Sequence, residues 1–96
     1  MLTSKQRAKL RGLANQMETI LQVGKGGIQD ALVKQVDEAL TARELIKLRA
    51  LETAPDSPRQ IAGQLAGATG AEVVQVIGTR FVLYRRNPEH PQISPD

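Results

Sequence analysis

Apolar side chains recur at intervals of three and four residues in three stretches of the chain, which is the spacing of an amphipathic helix. Leu10 and Leu13 would lie on the inner face of the first stretch, which follows a capping residue at Thr3 or Ser4. Ser57 and Pro58 open the third stretch and Gly70 closes it, as is typical of helix ends. The pattern predicts helices over about residues 4–16, 28–40 and 58–69.

Residues 44–51 alternate instead between an apolar face and a mixed face, and other short runs are rich in β-branched side chains. These runs predict strands over residues 19–23, 44–51, 72–77 and 80–86, with Gly78-Thr79 as a two-residue turn. Two crossovers onto neighbouring strands can place the second and third helices on one face. The order, a helix followed by β-α-β-α-β-β, predicts an α/β protein with a two-layer, four-stranded mixed sheet and a final antiparallel hairpin.

The length and composition fit one small domain. The chain has 96 residues and no cysteine, so no disulfide or thiolate metal site is available. No apolar run reaches the ~18 residues of a membrane helix, and the N-terminus leads into a charged helix, so we expect a cytoplasmic protein that does not enter membranes. Nothing demands an oligomer. Three prolines in residues 87–96 predict a disordered tail after one domain over residues 1–86.

The positive charge is concentrated near the N-terminus. The net charge is +3, and no acidic residue precedes Glu18. Basic residues lie four apart in two pairs on the first predicted helix, and they are Lys5, Arg7, Lys9 and Arg11. Such a patch indicates a polyanionic partner, although a solvated helix face is the plainer alternative.

A glycine-rich segment, Gly24-Lys25-Gly26-Gly27, joins the first predicted strand to the second predicted helix. Glycine has no Cβ, so the backbone here can approach another molecule closely. The start of a helix favours an anion, and Lys25 adds a full positive charge. The segment therefore predicts a phosphate contact, with a tight strand-to-helix turn as the alternative. It is not a nucleotide-hydrolysing P-loop, because no Ser or Thr follows Lys25.

Residues that could support catalysis are scarce. The single histidine, His90, lies in the tail, where a general base would lack a pocket. No Cys/His cluster could hold a metal ion, and the adjacent Asp37 and Glu38 point to different sides of a helix. We therefore expect a protein that is not an enzyme and needs no cofactor.

Several motifs in one order resemble a known family. Lys9-Leu10-Arg11-Gly12-Leu13-Ala14 comes first, then the glycine segment, Glu44-Leu45-Ile46-Lys47-Leu48-Arg49, the run over residues 69–78, and Val82-Leu83-Tyr84-Arg85-Arg86. Over residues 2–86 the chain resembles the bacterial YhbY proteins, which are single CRM domains (chloroplast RNA splicing and ribosome maturation). The proline-rich, weakly acidic tail departs from the pattern of that family.

The resemblance implies a fold similar to the C-terminal domain of the third bacterial initiation factor. It also implies RNA binding, with ribosomal RNA in precursors of the large ribosomal subunit as the partner and ribosome assembly as the role. The predicted RNA contacts are the GxxG loop, the basic first helix flanking it, and residues of the sheet: Gly24, Lys25, Gly26, Gly27, Lys5, Arg7, Lys9, Arg11, Lys47, Arg49, Arg85 and Arg86.

Two questions stay open from the sequence. Lys47 and Arg49 share one strand face, and Arg80, Val82, Tyr84 and Arg86 share a face of the last strand. If these faces coincide they form a second basic surface, in which Tyr84 could stack on a base, although a place in the core is the favoured interpretation of Tyr84. The basic face as a whole has a second interpretation, a protein-interaction domain that docks an acidic assembly factor or ribosomal protein.

Overall fold

A computed structural model describes residues 2–95; Met1 and Asp96, the outer ends of the predicted domain and tail, lie outside the described residues. The three helices are α1 (Ser4–Ala14), α2 (Asp30–Arg43) and α3 (Pro58–Thr69). The four strands are β1 (Leu21–Val23), β2 (Leu45–Ala50), β3 (Glu72–Ile77) and β4 (Arg80–Tyr84). The predicted element order and the α/β class with a four-stranded mixed sheet are confirmed.

Local sequence fixes the ends of two helices. The hydroxyls of Thr3 and Ser57 accept the N–H groups of Gln6 and Gln60, whose side chains in turn accept the N–H groups of the capping residues. Each pair is a capping box, which satisfies two helix-end donors at once. Gly70 ends α3 in the left-handed conformation at φ 73°.

The sheet has the strand order β1-β2-β4-β3. β1 and β2 are parallel, whereas β4 is antiparallel to both β2 and β3. The prediction that both crossovers reach neighbouring strands is therefore wrong for the second one, because β4 lies between β2 and β3. The central place suits β4, since Phe81, Val82, Leu83 and Tyr84 are all buried and need cover on both faces.

Each face of the sheet carries its own core. On one face α2 and α3 pack on Ile46, Leu48 and Phe81. On the other face α1 packs through Leu10 and Ala14 against a second cluster, Leu45, Val74, Val82 and Tyr84. Leu13, predicted on the inner face of α1, is instead 43% exposed, because the stripe that meets the sheet passes through Leu10 and Ala14, four residues apart.

A buried carboxylate holds the C-terminal segment against the domain. Glu44, between α2 and β2, is fully buried, and its side chain accepts the N–H groups of Asn87 at 2.7 Å, Ile93 at 2.8 Å and Gln92. Residues 87–95 form no helix or strand. The boundary at residue 86 and the disorder of residues 87–96 stay predictions.

Candidate nucleic-acid interface

Residues 24–27 form a tight turn at the carboxyl end of β1, which we call the glycine turn. The N–H of Gly27 donates to the C=O of Gly24 at 2.9 Å, which leaves Lys25 and Gly26 exposed at the corner. Among residues 2–95, Lys25 has no hydrogen-bond or ion-pair partner. The corner therefore exposes the ammonium group of Lys25 on a stretch of backbone that is accessible to a ligand.

The fold requires glycine at only one of the three glycine positions in the turn. Gly27 has φ 65°, and a Cβ there would lie 2.9 Å from Cγ of Pro55, so the folded chain requires glycine. Gly24 has no such φ, and its Cβ would make an ordinary 3.6 Å contact with Leu51. At Gly26 a Cβ would meet only the end of the flexible Gln29 side chain. The fold alone therefore does not explain Gly24 and Gly26.

The helix after the turn begins later than predicted, at Asp30 rather than near Ile28. Gln29 is the N-cap residue, with extended backbone, and its side chain makes no capping hydrogen bond to the first turn of α2. The first-turn N–H groups therefore lack the side-chain cap that α1 and α3 have, although Asp30 places a negative charge beside them.

The basic helix does not lie directly beside the glycine turn. α1 begins near the start of β3, where the N–H of Leu2 donates to Glu72 at 3.1 Å and Arg7 donates to the C=O of Val73. β2 and β3 run in the same direction, so the start of β3 and the carboxyl ends of β1 and β2 lie at opposite ends of the sheet. Lys5, Lys9 and Arg11 are exposed along this helix, which runs over the sheet face.

Lys47, Arg7 and Arg85 are predicted contacts whose cationic groups bond acceptors inside the protein. Lys47 Nζ donates to the C=O groups of Ala14 and Met17 at 3.3 and 3.5 Å, which fastens the end of α1 to β2. Arg7 fastens the same helix to β3. Arg85 lies towards α2, where its guanidinium bonds Asp37, Thr41 and the C=O of Thr69. These three side chains position α1, α2 and α3 on the sheet.

The remaining predicted residues occupy the two ends of the sheet. Arg49 lies on β2 on the face that carries α1, directly opposite Arg80 of β4 in the antiparallel register. Arg80 is not among the predicted contacts, although the alternation of β4 places it on the same face as Val82 and Tyr84. Arg86 is exposed after β4, at the far end from the glycine turn. Tyr84 is buried under α1, so it belongs to the core and offers no stacking surface.

Among the ionisable side chains of residues 2–95, Glu44 has a clearly shifted pKa. Burial by itself raises the pKa of the Glu44 carboxyl, but hydrogen bonds from the N–H groups of Asn87, Gln92 and Ile93, with the charge of Arg86, outweigh it. The pKa of Glu44 therefore lies below its ordinary value. The sequence does not reveal that Glu44 is buried, because a glutamate between a helix and a strand is usually exposed.

Neither a metal centre nor a membrane span is found in the part of the chain that the structure describes. Residues 2–95 contain no group of three or more His, Asp or Glu side chains arranged to hold a metal ion. Within the same residues, no helix is long and apolar enough to cross a bilayer.

Comparison with known proteins gives a consistent result. The sequence profile of the CRS1/YhbY (CRM) domain matches residues 2–85. The chain is 43% identical to a Bacillus subtilis protein named "Probable RNA-binding protein YqeI", over 98% of each chain. It is 31% identical over 88 residues to a Haemophilus influenzae protein named "RNA-binding protein", covering 92% of this chain and 89% of that one. The solution structure of SAV1595 from Staphylococcus aureus matches with a TM-score of 0.82 and 45% identity, over 98% of each chain.

Proposed function

The chain belongs to the CRS1/YhbY (CRM) domain family, and from this membership and its surface we propose that it binds RNA through the glycine turn. The observation that carries the proposal is the pair Gly24 and Gly26, which the fold does not need as glycines. Close approach of a ligand to the backbone is the remaining physical reason for them. Exposed Lys25 supplies the charge that a phosphate requires.

Exposed basic residues of α1 supply further phosphate contacts in this proposal. Lys5, Lys9 and Arg11 are exposed along one helix, and no acid lies in its first turn. Phosphate contacts of this kind give affinity and register but little base specificity. Arg86 adds charge at the far end of the sheet, whereas Arg7, Lys47 and Arg85 serve mainly to position the helices because they bond internal acceptors.

We further propose that the RNA is ribosomal and that the protein acts, as a monomer in the cytoplasm, on precursors of the large ribosomal subunit. Support for this finer statement is the resemblance of residues 2–86 to the YhbY proteins. A mostly backbone-directed surface also suits RNA that is still folding, since it recognises shape and phosphates rather than one sequence.

The experiment measures binding to precursor and to mature large subunits at two salt concentrations. Wild type is compared with Lys25→Ala and with the control Arg43→Gln, which removes one exposed charge from the far end of α2. We expect preference for the precursor, weakened by salt and by Lys25→Ala but not by the control. Equal association with both particles would contradict the assembly role. Salt-insensitive association that Lys25→Ala leaves unchanged would contradict phosphate contact at the glycine turn, because association with any polyanion weakens as salt rises.

A further inference from the structure

We propose that RNA leaving the glycine turn continues over the adjacent end of the sheet, where Arg49 and Arg80 bind a second phosphate region and Ile77 contacts a base. These residues and Gln22 form what we call the sheet row. The inference rests on the proposed function, because the occupant of the sheet row is the same RNA strand.

The strand register places the sheet row on one line across all four strands. Gln22 of β1 pairs with Arg49 of β2, Arg49 pairs with Arg80 of β4, and Arg80 pairs with Ile77 of β3. Directly paired residues point to the same face, and strands are about 4.8 Å apart, so the row spans about 14 Å. Gln22 lies two residues before Gly24, so the sheet row starts beside the glycine turn.

Helix α1 leaves this end of the face open. The helix covers Leu45, Val82 and Tyr84, and its last turn is held at Lys47, one same-face position before Arg49 on β2. On the part of this face that α1 does not cover, Arg80 is exposed and Ile77 is 63% exposed. A shallow depression lies between the end of α1 and the row, and it is lined by Asn15, Lys47, Gln75, Ile77, Arg80 and Val82.

The two arginines of the sheet row favour binding of an anion. Arg49 and Arg80 are like charges directly opposite each other on antiparallel strands, an arrangement that destabilises a sheet. No acidic residue shares the row, and Nε of Arg49 is buried without a hydrogen-bond partner among the described residues. A phosphate between the two guanidinium groups would remove the repulsion and accept from several of their donors. The acidic side chains of a protein partner would also neutralise the charges, but Gln22 places the row beside the glycine turn, so RNA bound at that turn reaches it directly.

The apolar end of the row suits a base rather than another phosphate. Ile77 has a large exposed side chain at an edge strand, next to the two arginines. Extruded bases pack against apolar as well as aromatic side chains, and the only tyrosine is buried under α1. A strand of RNA can therefore place phosphates at Arg49 and Arg80 and one base on Ile77.

The experiment compares labelled oligouridylates of about 4 and about 12 nucleotides, since a GxxG loop in KH domains clamps about four. The variant is Arg49→Gln/Arg80→Gln, and its control is Lys34→Gln/Arg43→Gln, which removes the same charge from exposed positions on α2, on the opposite face. On the longer RNA we expect the log–log salt slope of the variant to flatten by about 0.7–1.4, or roughly 5- to 25-fold weaker binding at about 0.1 M salt. The shorter RNA and the control should bind as wild type does.

Two further variants test the base contact separately from the phosphate contacts and provide a substitute in case the double variant does not fold. Ile77→Ser should weaken the longer RNA severalfold without changing the salt slope, because no phosphate contact is lost. Arg80→Gln alone, at an exposed position, should give about half the slope change if the double variant does not fold.

The outcomes distinguish the sheet row from the glycine turn. If Lys25→Ala weakens both RNAs while the double variant binds both as wild type does, the sheet row is overturned and the proposed function stands. If wild type binds neither RNA, both are overturned. Binding of polyglutamate, but not RNA, that is lost in the double variant would reassign the row to an acidic protein.

Discussion

At the scale of the residue, Gly24, Gly26 and Gly27 lie within four consecutive positions but differ in what they do. Gly27 is fixed by the backbone, with φ 65° and Pro55 against it, whereas Gly24 and Gly26 have room for a methyl group once Gln29 shifts. The sequence shows the motif but cannot separate these reasons, because the sign of φ and the neighbour at Pro55 are properties of the folded chain. Stability and binding should therefore respond to different glycines.

Alanine substitutions test that separation. Gly27→Ala should lower the free energy of unfolding by about 1–2 kcal/mol, because an L-residue is forced into the left-handed region. Gly24→Ala should stay within about 0.5 kcal/mol of wild type. Gly12→Ala is the control, since this helical glycine faces open space and alanine there should stabilise by up to about 1 kcal/mol. Urea unfolding of the three variants measures these differences; equal losses at Gly24 and Gly27 would contradict the assignment.

At the scale of the element, polar side chains attach the helices and the C-terminal segment to the sheet. Lys47 holds the end of α1, and Arg85 ties α2 and α3 to the end of β4. Glu44 accepts the N–H groups of Asn87, Gln92 and Ile93. From sequence alone, a basic side chain that is free to bind a polyanion cannot be distinguished from one that is hydrogen-bonded to the end of a helix. That ambiguity is why the predicted RNA contacts included residues that the structure assigns to anchoring.

Glu44→Gln tests the attachment of the C-terminal segment. The pKa of Glu44 in the folded protein is below its ordinary value of 4.5. Its charge therefore stabilises the fold above that value, and the contribution is lost as pH falls from 4.5 through the lowered pKa of the folded state. We expect Glu44→Gln to destabilise by about 1–3 kcal/mol at neutral pH, with the difference from wild type shrinking below about pH 4.5. Thermal unfolding across pH checks this. A variant as stable as wild type at pH 7 would instead support the predicted disorder of residues 87–96.

At the scale of the whole molecule, the spacing of apolar residues predicts the helices, the strands and the fold class. Each helix and strand has its own local pattern, which can be recognised without knowing the tertiary structure. The position of β4 between β2 and β3 was not predicted, because chain order does not reveal which edge of a hairpin joins the rest of a sheet. The sequence could offer only a conditional version of the sheet row, because whether Arg49 and Arg80 share a face and a register position depends on β4 lying beside β2. The opposite faces taken by α1 and by α2 and α3 likewise depend on tertiary packing.

A basic surface of this extent should carry nucleic acid through purification. The chain has one tyrosine and no tryptophan, so its own absorbance at 280 nm is low and bound RNA dominates the ratio of absorbance at 260 to 280 nm. We expect a high ratio after purification at low salt that falls after a wash in about 1 M salt, where counterion release no longer favours binding. A low ratio before the wash would count against RNA as the cellular partner.

The most direct test of binding through the glycine turn is the dependence of RNA affinity on salt for wild type, Lys25→Ala and the control Arg43→Gln. We expect Lys25→Ala to flatten the log–log slope by about 0.7, the value of one phosphate contact on single-stranded RNA, while the control keeps the wild-type slope. A folded Lys25→Ala protein with the wild-type slope and affinity would show that the glycine turn does not bind RNA.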